Sequence, residues 1–192
     1  IPKNWPDYVP HTIDYPDIPL FRLLDDSAEK HPEATATIYK GGRLTYRELK
    51  EQVDRFATAL QRLGVTREDK IALFLPNIPQ FVIAYYGSLK AGAIVTAISP
   101  LYKEREIKHQ IQDSQAETLV VLDLLYPILK KVKSETGLKR IIVTGVGEYL
   151  PSVKRILGSL LGKIPTHKVD LEAGMYRFQD LIKEYPPTPA PV

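Results

Sequence analysis

The sequence predicts an α/β fold in which a doubly wound, mostly parallel sheet is flanked by helices. Four short apolar runs, centred near residues 73, 96, 120 and 142, recur about every 22 to 25 residues. Segments with helical hydrophobic periodicity lie between them. Strands that are apolar throughout are typical of sheets covered on both faces, and alternation of such strands with helices indicates parallel pairing.

An arm, a helix and a hairpin are predicted ahead of the sheet. Five prolines fall within residues 1–19, so this arm should run extended over the surface. Residues 20–30 have the periodicity of a helix with one apolar face. Residues 36–44 are typical of a short hairpin that turns at Gly41 and Gly42. Each of these segments should pack onto the outside of the sheet rather than extend it.

A second, amphipathic helix follows the hairpin. Thr45 and Glu48 stand in the spacing of a capping box, in which each side chain satisfies a backbone amide of the first turn. The periodic apolar positions continue up to Gly64, a residue type that commonly ends helices.

The centre of the fold is a predicted strand–helix–strand unit. Residues 71–75 form the first strand, and Asn77 is expected to cap the following helix with Gln80 in capping-box position. This helix is apolar almost all round, so Phe81 and its neighbours should be buried. Residues 93–98 form the second strand. The short connection predicts a right-handed βαβ unit with parallel strands.

The rest of the chain continues the alternation. Residues 102–114 are predicted to form a charged helix, 118–122 a strand, 125–135 a helix, 140–144 a strand and 176–184 a last short helix.

Four parts are expected from this pattern. They are an extended proline-rich arm (1–19), an α/β core (20–147), a basic amphipathic insertion (148–175), and a short helix with a proline-rich linker (176–192). The linker is expected to lead to a further part of the protein.

The composition excludes several classes of protein. A formal net charge of +3 is too small to indicate a nucleic-acid partner. The absence of cysteine excludes disulfides, thiolate zinc sites and cysteine nucleophiles. No apolar run is long enough to span a bilayer, so a cytoplasmic location is expected.

Two stretches resemble core motifs of the adenylate-forming enzymes, a superfamily of acyl-CoA synthetases, luciferases and adenylation domains. Residues 44–49 (LTYREL) resemble the first motif. Residues 89–93 (LKAGA), running into 99–102 (SPLY), resemble the second. The order and separation of the stretches are similar to those in the family. Residues between and after them resemble the long-chain fatty-acid–CoA ligase branch.

The resemblance implies a function for a longer protein. Such an enzyme would use ATP and magnesium to convert a fatty acid into an acyl-adenylate, and would then transfer the acyl group to CoA. The family's phosphate loop, which ends in Pro-Lys-Gly, and its later motifs do not occur in this sequence. We therefore expect the chain to be an N-terminal part of the enzyme, truncated and inactive alone, with no cofactor of its own. A self-contained, non-catalytic α/β binding or interaction module is the alternative.

The resemblance also implies one candidate binding segment. In related acyl-CoA synthetases the turn after the second-motif strand lies beside the CoA channel. The matching residues are Thr96, Ala97, Ile98 and Ser99. Alternatively, these small residues only allow close packing of the strand against a helix.

Two glycine-containing stretches partly match phosphate-binding loops. Residues 158–163 (GSLLGK) resemble a Walker loop, but the glycines are one residue too close and Ile164 replaces the Ser or Thr. A helix with small residues is the alternative. Residues 145–147 (GVG) follow a strand, but Leu150 stands where a dinucleotide loop has its third glycine. The four histidines lack metal-ligand spacing with one another, so no metal site is predicted. No Ser-His-Asp set can be assembled by motif, so no catalytic residue is predicted, and the sequence alone does not exclude such a set by geometry.

The segment 149–163 interrupts the strand–helix alternation. Its apolar residues recur at helical spacing and include Leu157 and Leu160, while Lys154, Arg155 and Lys163 flank them. No acidic residue lies between Pro151 and Thr166. A basic helix with a strongly apolar face is typical of peripheral membrane contact. The alternative is an ordinary amphipathic helix packed on the sheet.

Overall fold

The structure, a computed structural model, describes residue 6 and residues 8–192. Within this part the chain forms seven helices and seven strands, and short 3₁₀ turns flank α5. In chain order the elements are α1 (Arg22–Lys30), β1 (Thr35–Tyr39), β2 (Gly42–Thr45), α2 (Tyr46–Arg62), β3 (Lys70–Phe74), α3 (Pro79–Lys90), β4 (Ile94–Ala97), α4 (Glu104–Ser114), β5 (Thr118–Leu122), α5 (Tyr126–Val132), β6 (Arg140–Thr144), α6 (Ser152–Leu160), β7 (Met175–Arg177) and α7 (Phe178–Glu184).

Five strands form one parallel sheet in the order β4-β3-β5-β6-β7. β3 lies between β4 and β5, and the chain then proceeds outward through β6 to β7. In this order the connections run to opposite sides of β3, so the topological switch point lies between β3 and β5. Ligands of doubly wound folds usually bind in the crevice at the switch point. The predicted parallel α/β sheet is confirmed.

Helices cover both faces of the sheet. Ile71 and Leu73 of β3 pack in one core with α2, α3 and α7. Ala72 and Phe74, the alternate residues of the same strand, pack in a second core with α4 and α5. Successive side chains of a strand point to opposite faces, so one strand serves both cores. All five residues of β5 are buried, as expected for a central strand.

The capping box at the start of α2 is confirmed. The backbone N–H of Glu48 donates to Thr45 Oγ1 at 3.2 Å, and the backbone N–H of Thr45 donates to Glu48 Oε2 at 2.8 Å. The hairpin β1–β2 immediately before it is also confirmed, but Tyr39 pairs with Gly42, so the turn falls at Lys40 and Gly41, one residue earlier than predicted. Both features depend on residues a few positions apart, which explains why the sequence predicts them well.

The predicted cap on α3 is wrong. α3 begins at Pro79, its N-cap residue is Ile78, and neither Asn77 nor Gln80 caps it. Gln80 is instead buried and donates from Nε2 to Thr144 Oγ1 at 3.0 Å, so its amide joins α3 to the end of β6. Gln80 therefore bonds to a residue 64 positions away in the sequence and not to the backbone at the start of α3.

Burial on α3 also differs from the prediction. Phe81 is only partly buried, and its ring stacks on that of Tyr85 with the centroids 6.2 Å apart. The fully buried side of the helix carries Ile83 and Ala84. α3 is therefore covered by α2 and the sheet on one side and is only half-covered on the other.

The last part of the chain adds a strand that the sequence does not predict. Residues 175–177 pair in parallel with β6 before α7 begins at Phe178. The ring of Phe178 stacks on that of Phe56 of α2 with centroids 4.9 Å apart. Beyond α7, Gln61 exchanges two hydrogen bonds with the backbone of Ala190, so the proline-rich tail lies along α2.

Candidate functional site

The carboxyl ends of β5, β6 and β7 open onto a cavity of about 810 Å³. Its walls come from the loop after β6, from α6, from the segment that returns from α6 to the sheet, and from β7 with α7. Ligands of parallel α/β folds bind outside the carboxyl ends of the strands, and small-molecule sites commonly have this volume. The cavity is therefore the candidate functional site of the described part.

Asp123, the first residue after β5, lies at the floor of the cavity and is buried. Its Oδ2 accepts hydrogen bonds from the hydroxyl of Thr166 at 2.8 Å and from the backbone N–H of His167 at 3.1 Å. Its Oδ1 accepts one from the backbone N–H of Leu124 at 2.7 Å. This carboxylate holds the return segment against the sheet.

Glu148 is the second carboxylate of the floor. Its Oε1 accepts a hydrogen bond from the backbone N–H of Gly145 at 2.8 Å, and its Oε2 accepts one from the hydroxyl of Thr144 at 2.6 Å. The amides of Gln80 and Gln179 also donate to Oε2, each at 3.3 Å. Burial raises the pKa of the Glu148 carboxyl, although these four donors act in the opposite direction.

The adjacent Tyr149 extends this polar cluster towards α2. Its hydroxyl donates to the side-chain oxygen of Gln52. Burial raises the pKa of the Tyr149 phenol, so this group remains a neutral donor at physiological pH. Sequence reasoning missed the cluster because its members come from α2, α3, β6 and α7, and no spacing in the sequence relates them.

The predicted CoA-channel residues lie at the end of β4 and do not line the cavity. Gln110 of α4 donates from Nε2 to Thr96 Oγ1 at 3.2 Å and to the carbonyl of Ala97 at 2.8 Å. Ile98 is buried in the core with α4, and Ser99 Oγ accepts from the backbone N–H of Leu101 at 3.3 Å. All four residues contribute to the packing or hydrogen bonding of the strand end.

The two partial phosphate-loop matches fall in different places. Residues 158–163 form the end of α6 and the turn after it, where a Cβ at Gly158 would lie 2.8 Å from Ile164 Cγ1. Residues 145–147 form the loop after β6 and do line the cavity. No group of three or more potential metal-ligating side chains occurs among the residues that the structure describes.

α6 carries its apolar stripe on the outside of the molecule. The five large apolar side chains of the stripe are each more than half exposed: Val153, Ile156, Leu157, Leu160 and Leu161. The alternative of a helix packed on the sheet through this stripe is therefore wrong. Lys154 Nζ donates to the carbonyl of Lys40 at 3.0 Å, which places the β1–β2 turn beside α6. Among the residues that the structure describes, no helix has the length and apolar content needed to cross a bilayer.

The two family-like motifs have structural roles in this chain. Residues 44–49 contain the end of β2 and the capping box of α2. In residues 89–93, Lys90 contacts carboxylates of α1 and α2, and Gly92 takes a positive φ of 88° at the end of α3. Glycine is favoured there because other residues are strained in the left-handed region.

Known proteins similar to this chain belong to the same family that the two motifs indicate. The sequence profile of the AMP-binding enzymes matches residues 24–167. A long-chain-fatty-acid–CoA ligase of Bacillus subtilis is 37% identical over 94% of this chain and 32% of its own length. One of Yersinia pestis is 36% identical over 84% of this chain and 29% of its own length. The chain thus spans about a third of the length of these relatives.

Solved structures show the same fold. The crystal structure of a long-chain-fatty-acid–CoA ligase from Archaeoglobus fulgidus superposes with a TM-score of 0.71 at 24% identity, covering 94% of this chain and 33% of that one. The crystal structure of an anthranilate CoA ligase superposes with a TM-score of 0.73 at 20% identity, covering 90% and 29%. The profile match spans most of the chain and includes both motifs, so this chain belongs to the AMP-binding enzyme family.

Proposed function

We propose that the chain is the N-terminal part of an ATP-dependent long-chain fatty-acid–CoA ligase. The observation that carries the proposal is the 37% identity to a ligase of that name over 94% of the chain but only 32% of the relative. The complete enzyme would join the fatty-acid carboxylate to the α-phosphate of ATP with release of pyrophosphate. The CoA thiol would then attack the acyl carbonyl and release AMP.

The proposed role of this part is to support the catalytic parts rather than to perform chemistry. ATP, magnesium and CoA would be handled by residues of the complete enzyme, and this chain would be inactive on its own. The sequence supports this view, because the family's phosphate loop and later motifs do not occur in it. Thr96, Ala97, Ile98 and Ser99 remain the segment proposed to border the CoA channel.

Two experiments test the ligase proposal. The reading frame that encodes the chain should continue into a Ser/Thr/Gly-rich loop ending in Pro-Lys-Gly, and the complete protein should catalyse palmitate-dependent exchange of pyrophosphate into ATP. The 192-residue chain alone should show no exchange above background. Exchange by the chain alone would refute its proposed inactivity. A reading frame that stops at residue 192 would favour the alternative, a self-contained binding or interaction module.

We also propose that α6 is a peripheral membrane contact. The exposed stripe supports this, since a row of large apolar side chains facing water is costly unless another surface covers it. Lys154, Arg155 and Lys163 flank the stripe in the sequence, with no acidic residue between Pro151 and Thr166, and Arg155 also lines the cavity. Such a charge distribution complements a surface of anionic lipid. A fatty acid dissolved in a membrane would then lie close to the enzyme that activates it.

A further inference from the structure

The cavity at the carboxyl ends of β5, β6 and β7 is lined by basic side chains that lack acidic partners. Arg155 reaches it from α6, Arg177 from the end of β7 and Lys183 from α7. None of these three forms a salt bridge with any residue in the described part of the chain. Lys168, a fourth basic residue of the lining, pairs with Asp170 at 3.5 Å.

The two carboxylates of the cavity floor form no salt bridge with these three basic side chains. Both oxygens of Asp123 accept hydrogen bonds from the backbone or from the Thr166 hydroxyl. Both oxygens of Glu148 accept hydrogen bonds from backbone, hydroxyl and amide groups. The acids thus hold the cavity walls together, and the three basic side chains remain available to a bound group.

The loop after β6 has, at the cavity wall, two backbone amides without a hydrogen-bond partner in the described part of the chain. Residues 145–147 line the cavity, and within the described residues the amides of Val146 and Gly147 donate no hydrogen bond. Gly145 and Gly147 have no side chains of their own, but Ile164 lies beside Gly147 and the carboxylates of Asp123 and Glu148 lie beside Gly145. Backbone amides in tight turns at the end of a parallel strand are common donors to bound anions.

We propose that this cavity binds a ligand that carries a phosphate group, held by Arg177, Lys183 and Arg155. Guanidinium groups bind phosphate oxygens in bidentate fashion, and a lysine adds a compact charge. A volume of about 810 Å³ accommodates a ligand much larger than a single phosphate. The site is separate from the ligase chemistry proposed above and does not depend on it.

Two ligand sources share this chemistry, and calorimetry on the 192-residue chain can distinguish them. The first probe is inorganic pyrophosphate, which represents a soluble phosphate compound. The second is monomeric dihexanoyl-phosphatidic acid, which represents a lipid headgroup. We expect saturable binding of at least one probe. The tighter of the two identifies the source. Citrate, which carries a similar charge on carboxylates, should bind roughly tenfold more weakly than the better probe.

The variant Arg177→Gln/Lys183→Gln should weaken binding by about tenfold or more, because it removes two of the three basic groups. The control Arg105→Gln/Lys130→Gln removes the same charge from exposed positions outside the cavity and should bind like the wild type. Arg177→Lys keeps the charge but loses the bidentate geometry, so it should bind with intermediate affinity. Thermal unfolding of every variant checks that the fold is retained.

Three results would overturn the proposal. They are absence of saturable binding of both probes up to about 5 mM, equal binding of citrate and the better probe, and equal weakening in the cavity variant and its control. The last two would indicate attraction by net charge alone. None of these three results bears on pyrophosphate exchange by the complete protein, so the ligase proposal is tested separately.

Discussion

The ammonium group of Lys90 lies 2.6 Å from Asp54 Oδ1, so a nearly buried ion pair joins the end of α3 to the middle of α2. The same ammonium lies 2.5 Å from Asp25 Oδ1 of α1. Lys50 completes the cluster 2.5 Å from Asp54 Oδ2. Only 12% of the Lys90 side chain and 7% of the Asp54 side chain are exposed. The helices α1, α2 and α3 are therefore joined through the ammonium group of Lys90.

Replacing Lys90 with Met should lower the free energy of unfolding by about 3 kcal/mol, because it leaves two carboxylates largely out of water with only Lys50 as a counter-charge. Urea denaturation measures the loss. The control is Lys108→Met, which breaks an exposed pair with Glu135 and should cost less than about 1 kcal/mol. Equal losses in the two variants would show that the buried cluster does not hold the helices together.

The partly buried carboxyl of Glu148 should make stability depend on pH. Its pKa is raised by burial, so the folded state holds the proton more tightly than the unfolded state, where the carboxyl titrates near 4.5. The stabilisation from this proton is complete below pH 4.5 and is lost as the pH rises through the folded-state pKa.

Wild type should therefore lose stability relative to Glu148→Gln as the pH rises from about 4.5 towards neutrality. Urea titrations of both proteins across this range give the difference. Glu172→Gln is the control, because Glu172 is exposed and its hydrogen bond with Lys133 lowers the pKa of its carboxyl. The free energy of unfolding of wild type minus that of Glu172→Gln should not decline over this pH range. Parallel profiles for wild type and Glu148→Gln would contradict the prediction.

The close approach of α2 and α3 depends on Gly87. A Cβ at this position would lie 2.8 Å from Phe56 Cδ1 and 3.2 Å from the carbonyl oxygen of Val53. Phe56 cannot easily move, because its ring is fully buried and stacked on Phe178. Steric conflict should outweigh the helix propensity gained by Ala.

Gly87→Ala should consequently destabilise the chain by about 1–2 kcal/mol in urea denaturation. Gly137→Ala serves as the control, since a Cβ there meets nothing within 4 Å. It should change the free energy of unfolding by no more than about 0.5 kcal/mol. A stabilised Gly87→Ala variant would mean that the two helices can separate without loss.

The sequence predicts those parts of the fold that depend on neighbouring residues. The capping box of Thr45 and Glu48 and the apolar strands β5 and β6 are of this kind. The cap on α3 was mispredicted because Gln80 bonds to Thr144, and nothing in the local sequence indicates that partner. β7 was missed because it is three residues long and exists only through pairing with β6.

The candidate site was less predictable than the fold for the same reason. The loop of residues 145–147 could be placed after a strand from sequence alone. The loop lines one cavity with Arg177 and Lys183 only because β7 lies next to β6 in the sheet. The spacing of residues in the sequence does not determine that strand order. For α6 the helical stripe was predicted, but the pattern could not tell whether the sheet or the solvent faces it.

The exposed stripe of α6 leads to the last prediction. The chain should co-sediment with vesicles that contain phosphatidylglycerol at low salt, with Leu157 and Leu160 inserted, and binding should fall as salt rises. Leu157→Ser/Leu160→Ser should weaken binding, because it removes apolar area from the inserted face. Leu101→Ser removes a leucine that is 83% exposed elsewhere and should leave binding unchanged.

The charge of α6 can be tested apart from its apolar face. Lys154→Glu/Lys163→Glu should weaken vesicle binding by about tenfold or more, since each basic residue near an anionic surface contributes about 1 kcal/mol. The control Arg105→Glu/Lys130→Glu changes net charge equally on α4 and α5 and should have a much smaller effect. Arg155 stays unchanged in both variants, so the phosphate-binding proposal is not disturbed. Absence of wild-type binding to anionic vesicles at low salt would contradict the proposal, and so would equal loss of binding in the two charge variants. In either case α6 is not the membrane contact, and another protein surface must cover its stripe.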